Sequence, residues 1–311
     1  MVCKKCEVEP VIILPNSNIK LCRSCFIKYF EKKVFKTIAK YNLVEEKDKI
    51  AVGVSGGKDS LSVLSLLNRF SQKKRNLDIV AIAIDEGIHG YREKTLDTLK
   101  KYCEKNNIDL HIFSYKNEFG YSLDEMLRTI KGVNPCSICG VLRRYLLNVG
   151  AKKLNASKLA TGHNLDDEAQ SIMMNQFRNN VKLNARLGPK TGVIEDESFV
   201  PRIKPLYLLT EKEVMTYAYL KGLTDNFIEC PNAEDSYRAQ VRDWINMLEE
   251  KNPGTKHSIV NSYLEIMPML KKQFKDKKEL RYCKQCNEPC SMEVCKVCQI
   301  RNQLKTSLNT T

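Results

Sequence analysis

No run of about 18 apolar residues occurs in this 311-residue chain, so no membrane-spanning helix is expected. An apolar leader is missing too: the chain opens through Cys3, Lys4 and Lys5, and the expected compartment is the cytoplasm. There is no long internal repeat. Acidic residues are in short supply. Against 51 Lys and Arg stand 37 Asp and Glu, and the net charge of +14 points to a polyanionic partner. Neither a helix-turn-helix nor a basic-zipper pattern is present, which favours RNA over DNA. The GxxxxGK[ST] spacing of a Walker phosphate loop is also absent.

What the chain does have is cysteine, 13 in all, and their grouping argues against a secreted disulfide framework. Cys3, Cys6, Cys22 and Cys25 are spaced C-x2-C-x15-C-x2-C, and Cys283, Cys286, Cys295 and Cys298 are spaced C-x2-C-x8-C-x2-C. Paired CxxC knuckles present four thiolates tetrahedrally, and ligation without histidine suits a closed structural zinc site, with an iron–sulfur cluster as the competing occupant. Cys290 is spare, and Cys103 shares helical spacing with Leu96 and Leu99 as a core residue would. Cys136 and Cys139 sit in Asn134-Pro135-Cys136-Ser137-Ile138-Cys139-Gly140, and Cys230 follows far downstream before Pro231. Spacing leaves three readings of this trio open: a redox pair that carries sulfur as a persulfide, a three-cysteine iron–sulfur site with one iron open, or a turn plus a structural thiol.

Between the cysteine-rich ends, apolar runs at 50–54, 79–84, 110–113, 159–161 and 203–206 read as strands. Helical patterns at 60–70, 91–103, 141–154 and 166–177 alternate with them. Buried strands alternating with helices predict an α/β fold with a doubly wound parallel sheet. A lysine-rich amphipathic helix is expected at 26–43, a helix behind the capping box Thr210-Glu211-Lys212-Glu213, and another at 234–250. The resulting division is a zinc module at 1–30, a linker helix at 31–48, a catalytic domain at 49–209 and a helical segment completing it at 210–278. A second zinc module at 279–302 and a disordered tail at 303–311 complete it. Residues 271–278 read as a charged connector.

Ser55-Gly56-Gly57-Lys58-Asp59-Ser60 follows the first strand, with Val54 at its end, and opens the first helix of the alternation. Two glycines let backbone N–H groups converge, the helix N-terminus adds partial positive charge, and Ser55, Lys58 and Ser60 add donors, which together make a phosphate cradle. Ligands of such sheets bind at the carboxyl ends of the strands. Two other strand ends are therefore candidates. Asp85 follows the second strand, where a carboxylate can meet a ribose, an adenine amino group or Mg²⁺. Gly162, His163, Asp166 and Asp167 follow the fourth, in Thr161-Gly162-His163-Asn164-Leu165-Asp166-Asp167-Glu168. Arg143, Arg144, Arg178, Arg186, Lys190, Arg238 and Arg242, with Tyr237 and Trp244 nearby, are candidate RNA contacts.

The SGGKDS loop resembles the PP-loop of ATP pyrophosphatases. Taken with IDEGIHGYR, PCSICG, TGHNLDDEAQ, the late ECP cysteine and a CxxC pair at each end, the chain resembles the TtuA/NcsA family of tRNA 2-thiouridine synthetases, archaeal in type, from Cys3 to Cys298. The resemblance implies a HUP-like PP-loop fold and an ATP- and Mg²⁺-dependent tRNA sulfurtransferase. It further implies a [4Fe-4S] cluster on Cys136, Cys139 and Cys230, and two Zn²⁺ on the terminal cysteine sets. The reaction it implies adenylates the C2 oxygen of a uridine with release of pyrophosphate, and sulfur then displaces AMP. In this scheme Lys58 and Ser60 bind pyrophosphate oxygens, Ser55, Gly56 and Gly57 form the cradle, and Asp59 orients the loop or metal. Asp85 lies near adenosine, and Asp166 lies near Mg²⁺ or the base. Expected partners are tRNA, a sulfur donor (sulfide or a thiocarboxylated ubiquitin-like carrier) and a second copy of the chain. Uridine 34 is the favoured target, with uridine 54, a cluster-free persulfide relay and a zinc-dependent RNA-binding scaffold as alternatives.

Overall fold

The structure is a computed structural model that describes residues 2–73, 76–130, 132–192, 196, 198–223, 230–232, 236–275 and 281–308. The chain begins with a two-stranded antiparallel hairpin, β1 (Ile12–Ile13) and β2 (Lys20–Leu21), followed by helix α1 (Arg23–Lys40). An alternation then runs β3 (Lys49–Val54), α2 (Lys58–Ser71), β4 (Asp78–Asp85), α3 (Arg92–Lys105), β5 (Leu110–Ser114), α4 (Tyr115–Phe119), α5 (Leu123–Thr129), α6 (Pro135–Lys153), β6 (Lys158–Ala160), α7 (Leu165–Phe177), α8 (Val181–Asn184) and β7 (Arg202–Ile203). Helices α9 (Glu211–Lys221), α10 (Tyr237–Lys251) and α11 (Thr255–Lys275) come next. A second hairpin, β8 (Arg281–Tyr282) and β9 (Pro289–Cys290), and helix α12 (Lys296–Leu308) close the described chain.

The main sheet is parallel throughout, in the order β5-β4-β3-β6-β7. Winding moves outward from β3 through β4 to β5, then returns to the other side for β6 and β7. The switch point thus lies between β3 and β6, where such sheets open a ligand crevice at the carboxyl ends. The doubly wound expectation is met.

Alternation along the strands builds two cores. Ile50, Val52 and Val54 of β3 and Ala81 and Ala83 of β4 face a core shared with α1, α2 and α9. Val80, Ile82 and Ile84 of β4 face the opposite core, shared with α5 and α6. The N-terminal cysteine module joins the first core through Cys3, Leu14 and Cys22, and the C-terminal module joins the second through Cys283, Cys295, Cys298 and Leu304. The two modules therefore brace opposite faces of one sheet. A third, smaller core joins α7 and α11 through Leu165, Ala169, Ile172, Val260 and Tyr263.

Several expectations are corrected. The helix expected at 26–43 starts at Arg23 and stops at Lys40. It is no linker: Phe26, Phe30, Val34 and Ile38 are buried, and Phe30 stacks on Tyr217 of α9 with ring centroids 4.1 Å apart. The fifth strand shrinks to Arg202–Ile203. Helix α11 lies within the expected helical segment at 210–278 but was not singled out as an element, and its last turn takes in Lys271–Lys275, five of the eight residues of the expected charged connector. The expected disordered tail is helical as far as Leu308, because Ile300 and Leu304 anchor α12 against the second core. The start of the helix expected at 234–250 falls partly outside the described residues, and α10 begins at Tyr237 behind a Ser236 cap.

Candidate active site

The cradle forms where β3 turns into α2. Gly56 has φ +89°, and a Cβ there would come within 2.4 Å of the Thr95 carbonyl oxygen, so only glycine fits. Gly57 is the N-cap and supplies no side-chain acceptor, leaving first-turn N–H groups of α2 for a ligand. Ser60 Oγ ties the turn together: it accepts from the Ser55 N–H (3.1 Å) and donates to the Gly57 carbonyl (3.0 Å). Lys58 Nζ lies 3.0 Å from both Asp59 and Glu211. Burial works against its charge, but the two carboxylates outweigh that and hold it protonated, above the ordinary lysine value.

Across the switch point, the segment after β6 closes on the cradle. A Cβ on Gly162 would meet Asp59 and Ser60 backbone at 2.9 Å, so this glycine permits the contact. Asn164 caps α7 by accepting from the Asp166 and Asp167 N–H groups, and its amide donates to Asp59 (3.1 Å). Asp166 is buried, accepts from the Glu211 N–H (2.9 Å) and pairs with Lys256. Burial, reinforced by Asp59, pushes the Asp167 carboxyl up to about 6. His163 keeps an exposed edge but sits in a recess dense with protein, its Nδ1 2.9 Å from Thr161 Oγ1. Loss of solvent, then the charges of Lys204, Arg238, Arg202 and Arg144, drive its imidazole down to about 3, so it is neutral near pH 7. Burial and Arg144 likewise lower Arg202 to about 10. These crowded cations could hold an anion. Asp85 stays at the end of β4, accepting from the Gly87 N–H (3.0 Å).

Of the trio, Cys136 and Cys139 open α6 behind an Asn134 cap. As the return crossover from β5 to β6, α6 has its N-terminus at the same sheet edge as the cradle. Cys139 and Cys230 pack in one apolar cluster, and Cys136 Sγ donates to the Asn232 carbonyl (3.2 Å), which draws the late segment to α6. Burial raises the Cys139 thiol, opposed by Arg143, whose guanidinium donates to Sγ at 3.2 Å. The three sulfurs, all on described residues, do not all lie within 4.8 Å of one another, the span of a single ion. Three soft thiols spread wider suit a cubane, whose irons sit at separate corners.

The terminal sets contrast with it. The four sulfurs of each lie within 4.8 Å of one another and could hold a metal ion. In the C-terminal set, Cys283 Sγ accepts backbone N–H groups from Cys295 (3.2 Å) and Gln285 (3.4 Å), with the Cys295 donor chiefly responsible for lowering its thiol to about 6. Thiolates held by backbone donors fit zinc.

The structure thus brings Ser55, Gly56, Gly57, Lys58, Asp59, Ser60, Gly162, Asp166 and Asp167 together, with the cysteine trio at the same edge. Sequence reasoning missed Asn164, Glu211, Lys256, Glu86 and Arg92. Glu211 lay within a capping box read only as a helix start, and Lys256 belongs to α11, which was not singled out. Arg238 donates to Gln170 and Ser171 (both 3.1 Å) beside Asp167, and Arg178 stacks on Tyr237, 3.9 Å from the ring centroid. Phe177 and Trp244 form an exposed edge-to-face pair next to them.

Residues 28–248 match the PP-loop domain family. Over 98% of its length the chain is 38% identical to a probable sulfurtransferase of Methanocaldococcus jannaschii, 88% of which is covered. It is 37% identical to the tRNA-5-methyluridine(54) 2-sulfurtransferase of Pyrococcus horikoshii, covering 99% of this chain and 96% of that one. Among solved structures, the U34-tRNA thiolase NcsA from Methanococcus maripaludis with its [4Fe-4S] cluster superposes with a TM-score of 0.84 at 38% identity, covering 98% of this chain and 96% of that one.

Proposed function

This chain belongs to the PP-loop family of tRNA 2-thiolation enzymes, and from that membership we propose that it adenylates the C2 oxygen of the wobble uridine 34 of tRNA and replaces it with sulfur. The observation that carries the reading is the cradle at the β3/β6 switch point sharing a sheet edge with three free thiols.

ATP lies with its phosphates over Gly56, Gly57 and the first turn of α2, where N–H groups and the helix dipole offset their charge. Lys58 and Ser60 bind the pyrophosphate oxygens. Asp166 and Asp167, with Asp59 behind them, would hold Mg²⁺, a hard cation suited to carboxylates, once Asp166 gives up its pairing with Lys256. The uridine C2 oxygen attacks the α-phosphorus and pyrophosphate leaves, making C2 carry a good leaving group. The cations around His163 stabilise charge on the departing phosphates. Cys136, Cys139 and Cys230 would hold a [4Fe-4S] cluster, which when bound would supply the sulfur as a nucleophile. Sulfur displaces AMP at C2.

Phe177 and Trp244 offer unpaired bases stacking surfaces, and Arg178, Arg238 and Arg242 offer phosphate contacts, so tRNA approaches along α7 and α10. Zinc in each terminal set, a homodimer, a cytoplasmic setting, and sulfide or a thiocarboxylated carrier as donor complete the proposal. Uridine 34 is preferred to 54 because the superposed NcsA is a U34-tRNA thiolase, although the 54-directed relative is nearly as similar.

The test is metal analysis of protein purified without oxygen, followed by thiolation of tRNAs altered at position 34 or 54. Iron and acid-labile sulfide for one cluster, about two zincs, and loss of product only with the position-34 variant are expected. Iron-free protein that thiolates through a reducible cysteine pair would turn the mechanism to a persulfide relay. Lys58→Ala should abolish pyrophosphate release while leaving the fold intact; normal release would remove Lys58 from its role.

A further inference from the structure

A chain of charged contacts joins the cysteine trio to the phosphate cradle. Arg143 donates from Nη2 to Cys139 Sγ at 3.2 Å, and its Nε lies 2.8 Å from Glu86 Oε1. The other Glu86 oxygen, Oε2, lies 3.0 Å from Arg92 Nε, and Arg92 Nη1 donates to the Ser55 carbonyl at 2.7 Å and to Thr95 Oγ1 at 3.1 Å. Glu86 and Arg92 are buried, at 4% and 3% exposure, whereas the Arg143 side chain is 44% exposed. Both Nε contacts with Glu86 are ion pairs rather than aligned hydrogen bonds. Bulk salt screens such buried charges little.

A triad of this kind is poorly explained by stability. Buried ion pairs replaced by apolar residues commonly leave a protein as stable or more so. Its end points explain it better. The Ser55–Gly56 peptide is planar and trans, so its carbonyl and N–H point opposite ways. Fixing the Ser55 carbonyl on Arg92 therefore fixes the direction of the Gly56 N–H, a donor of the cradle. At the other end, Arg143 sits directly on the Cys139 sulfur. Among the described residues, Glu86 is the single acceptor shared by both guanidiniums, so a shift of one changes the hold on the other. We propose that Glu86 and Arg92 are positioning residues that couple occupancy of the phosphate cradle to the setting of the Cys139 sulfur. This rests on the reading of the cradle as the ATP site and the trio as the sulfur site.

The coupling can be read without a loaded cluster. In cluster-free protein under argon, the rate of Cys139 alkylation by iodoacetamide, followed by peptide mass spectrometry, is compared with and without a non-hydrolysable ATP analogue and Mg²⁺. Wild type should change rate by at least about fivefold, the lower end of ordinary site-to-site coupling. Arg92→Lys keeps the buried charge, but one ammonium cannot serve Glu86 Oε2 and the Ser55 carbonyl as the fork does. It should bind the analogue and lose the rate change. Arg143→Lys, at the partly exposed end, cuts the chain with less risk to folding and should do the same. Iron loading of wild type should alter analogue affinity, and the analogue should alter iron affinity by that same factor, whereas the variants should bind the analogue equally with and without iron. A wild-type rate indifferent to bound analogue, or variants that respond as wild type does, would overturn the coupling. Failure of the analogue to bind wild type would overturn it together with the ATP reading. Absence of iron after reconstitution would overturn the cluster reading alone, because the alkylation comparison stands without it.

Discussion

The chain uses cysteine in two ways, and the difference lies in what surrounds the sulfur. In each terminal set four sulfurs converge within 4.8 Å on a short hairpin and the start of a helix. In the C-terminal set backbone N–H groups donate to Cys283, so the polypeptide itself stabilises thiolate there. Cys136, Cys139 and Cys230 come instead from α6 and a distant segment, with a guanidinium on one sulfur and another sulfur exposed. The first arrangement is closed and suits a structural ion. The second offers three thiols, and the charged contacts through Arg143, Glu86 and Arg92 run from it to the β3–α2 turn, as the proposed sulfur site requires.

The sharpest way to break this contrast is to remove one sulfur of each kind. Cys230→Ala should abolish tRNA thiolation and the iron content, with zinc content and melting temperature unchanged. A variant that kept thiolating would put the trio outside the chemistry. Cys283→Ser should show the reverse order of effects. It should lose about one zinc and several degrees of thermal stability, because Cys283 shares a buried cluster with Leu142 and Leu146 of α6. Thiolation should fall only as far as α6 loosens. Calorimetry beside zinc analysis decides it: unchanged melting with zinc lost would mean that the module does not brace the sheet.

How much of this was legible beforehand follows the range of the interactions involved. The parallel sheet is a local pattern of periodicity and punctuation and was read correctly, and the strand–turn–helix at Ser55–Ser60 and the spacing of both four-cysteine sets are local patterns of the same kind. Helix α11 was missed because Pro268 interrupts its pattern and its buried face is confined to Val260 and Tyr263. The end of α12 was missed because a lysine-bearing helix tail is anchored only by tertiary contact. The partners of the site residues were hidden for the same reason. Glu211 reaches Lys58 and Lys256 reaches Asp166 across 153 and 90 residues of chain, and no local pattern announces them. Glu86 and Arg92 stood inside a quoted motif, but only the fold reveals that they meet Ser55 on one side and Arg143 on the other.

The smallest effect expected sharpens the comparison between paired and unpaired charge within one helix turn. Asp166 is neutralised by Lys256 and the Glu211 N–H, whereas Asp167 sits near Asp59, with Arg238 at 3.9 Å and about 35% of its side chain reached by water. Burial and Asp59 raise the Asp167 carboxyl to about 6 from an ordinary 3.8. The folded state therefore binds a proton that the unfolded chain has released between those values. Linkage gives the sign: Asp167 favours folding below pH 4, and that contribution is lost as pH rises from about 4 to about 6. Allowing for solvent screening, the loss is on the order of 1 kcal/mol. Asp167→Asn should flatten that part of the stability-against-pH curve, measured by urea unfolding at fixed ionic strength, and should leave the region above pH 7 parallel to wild type. A wild-type curve already flat between pH 4 and 6, or one that Asp167→Asn leaves unchanged, would mean that this carboxylate titrates as an ordinary surface acid.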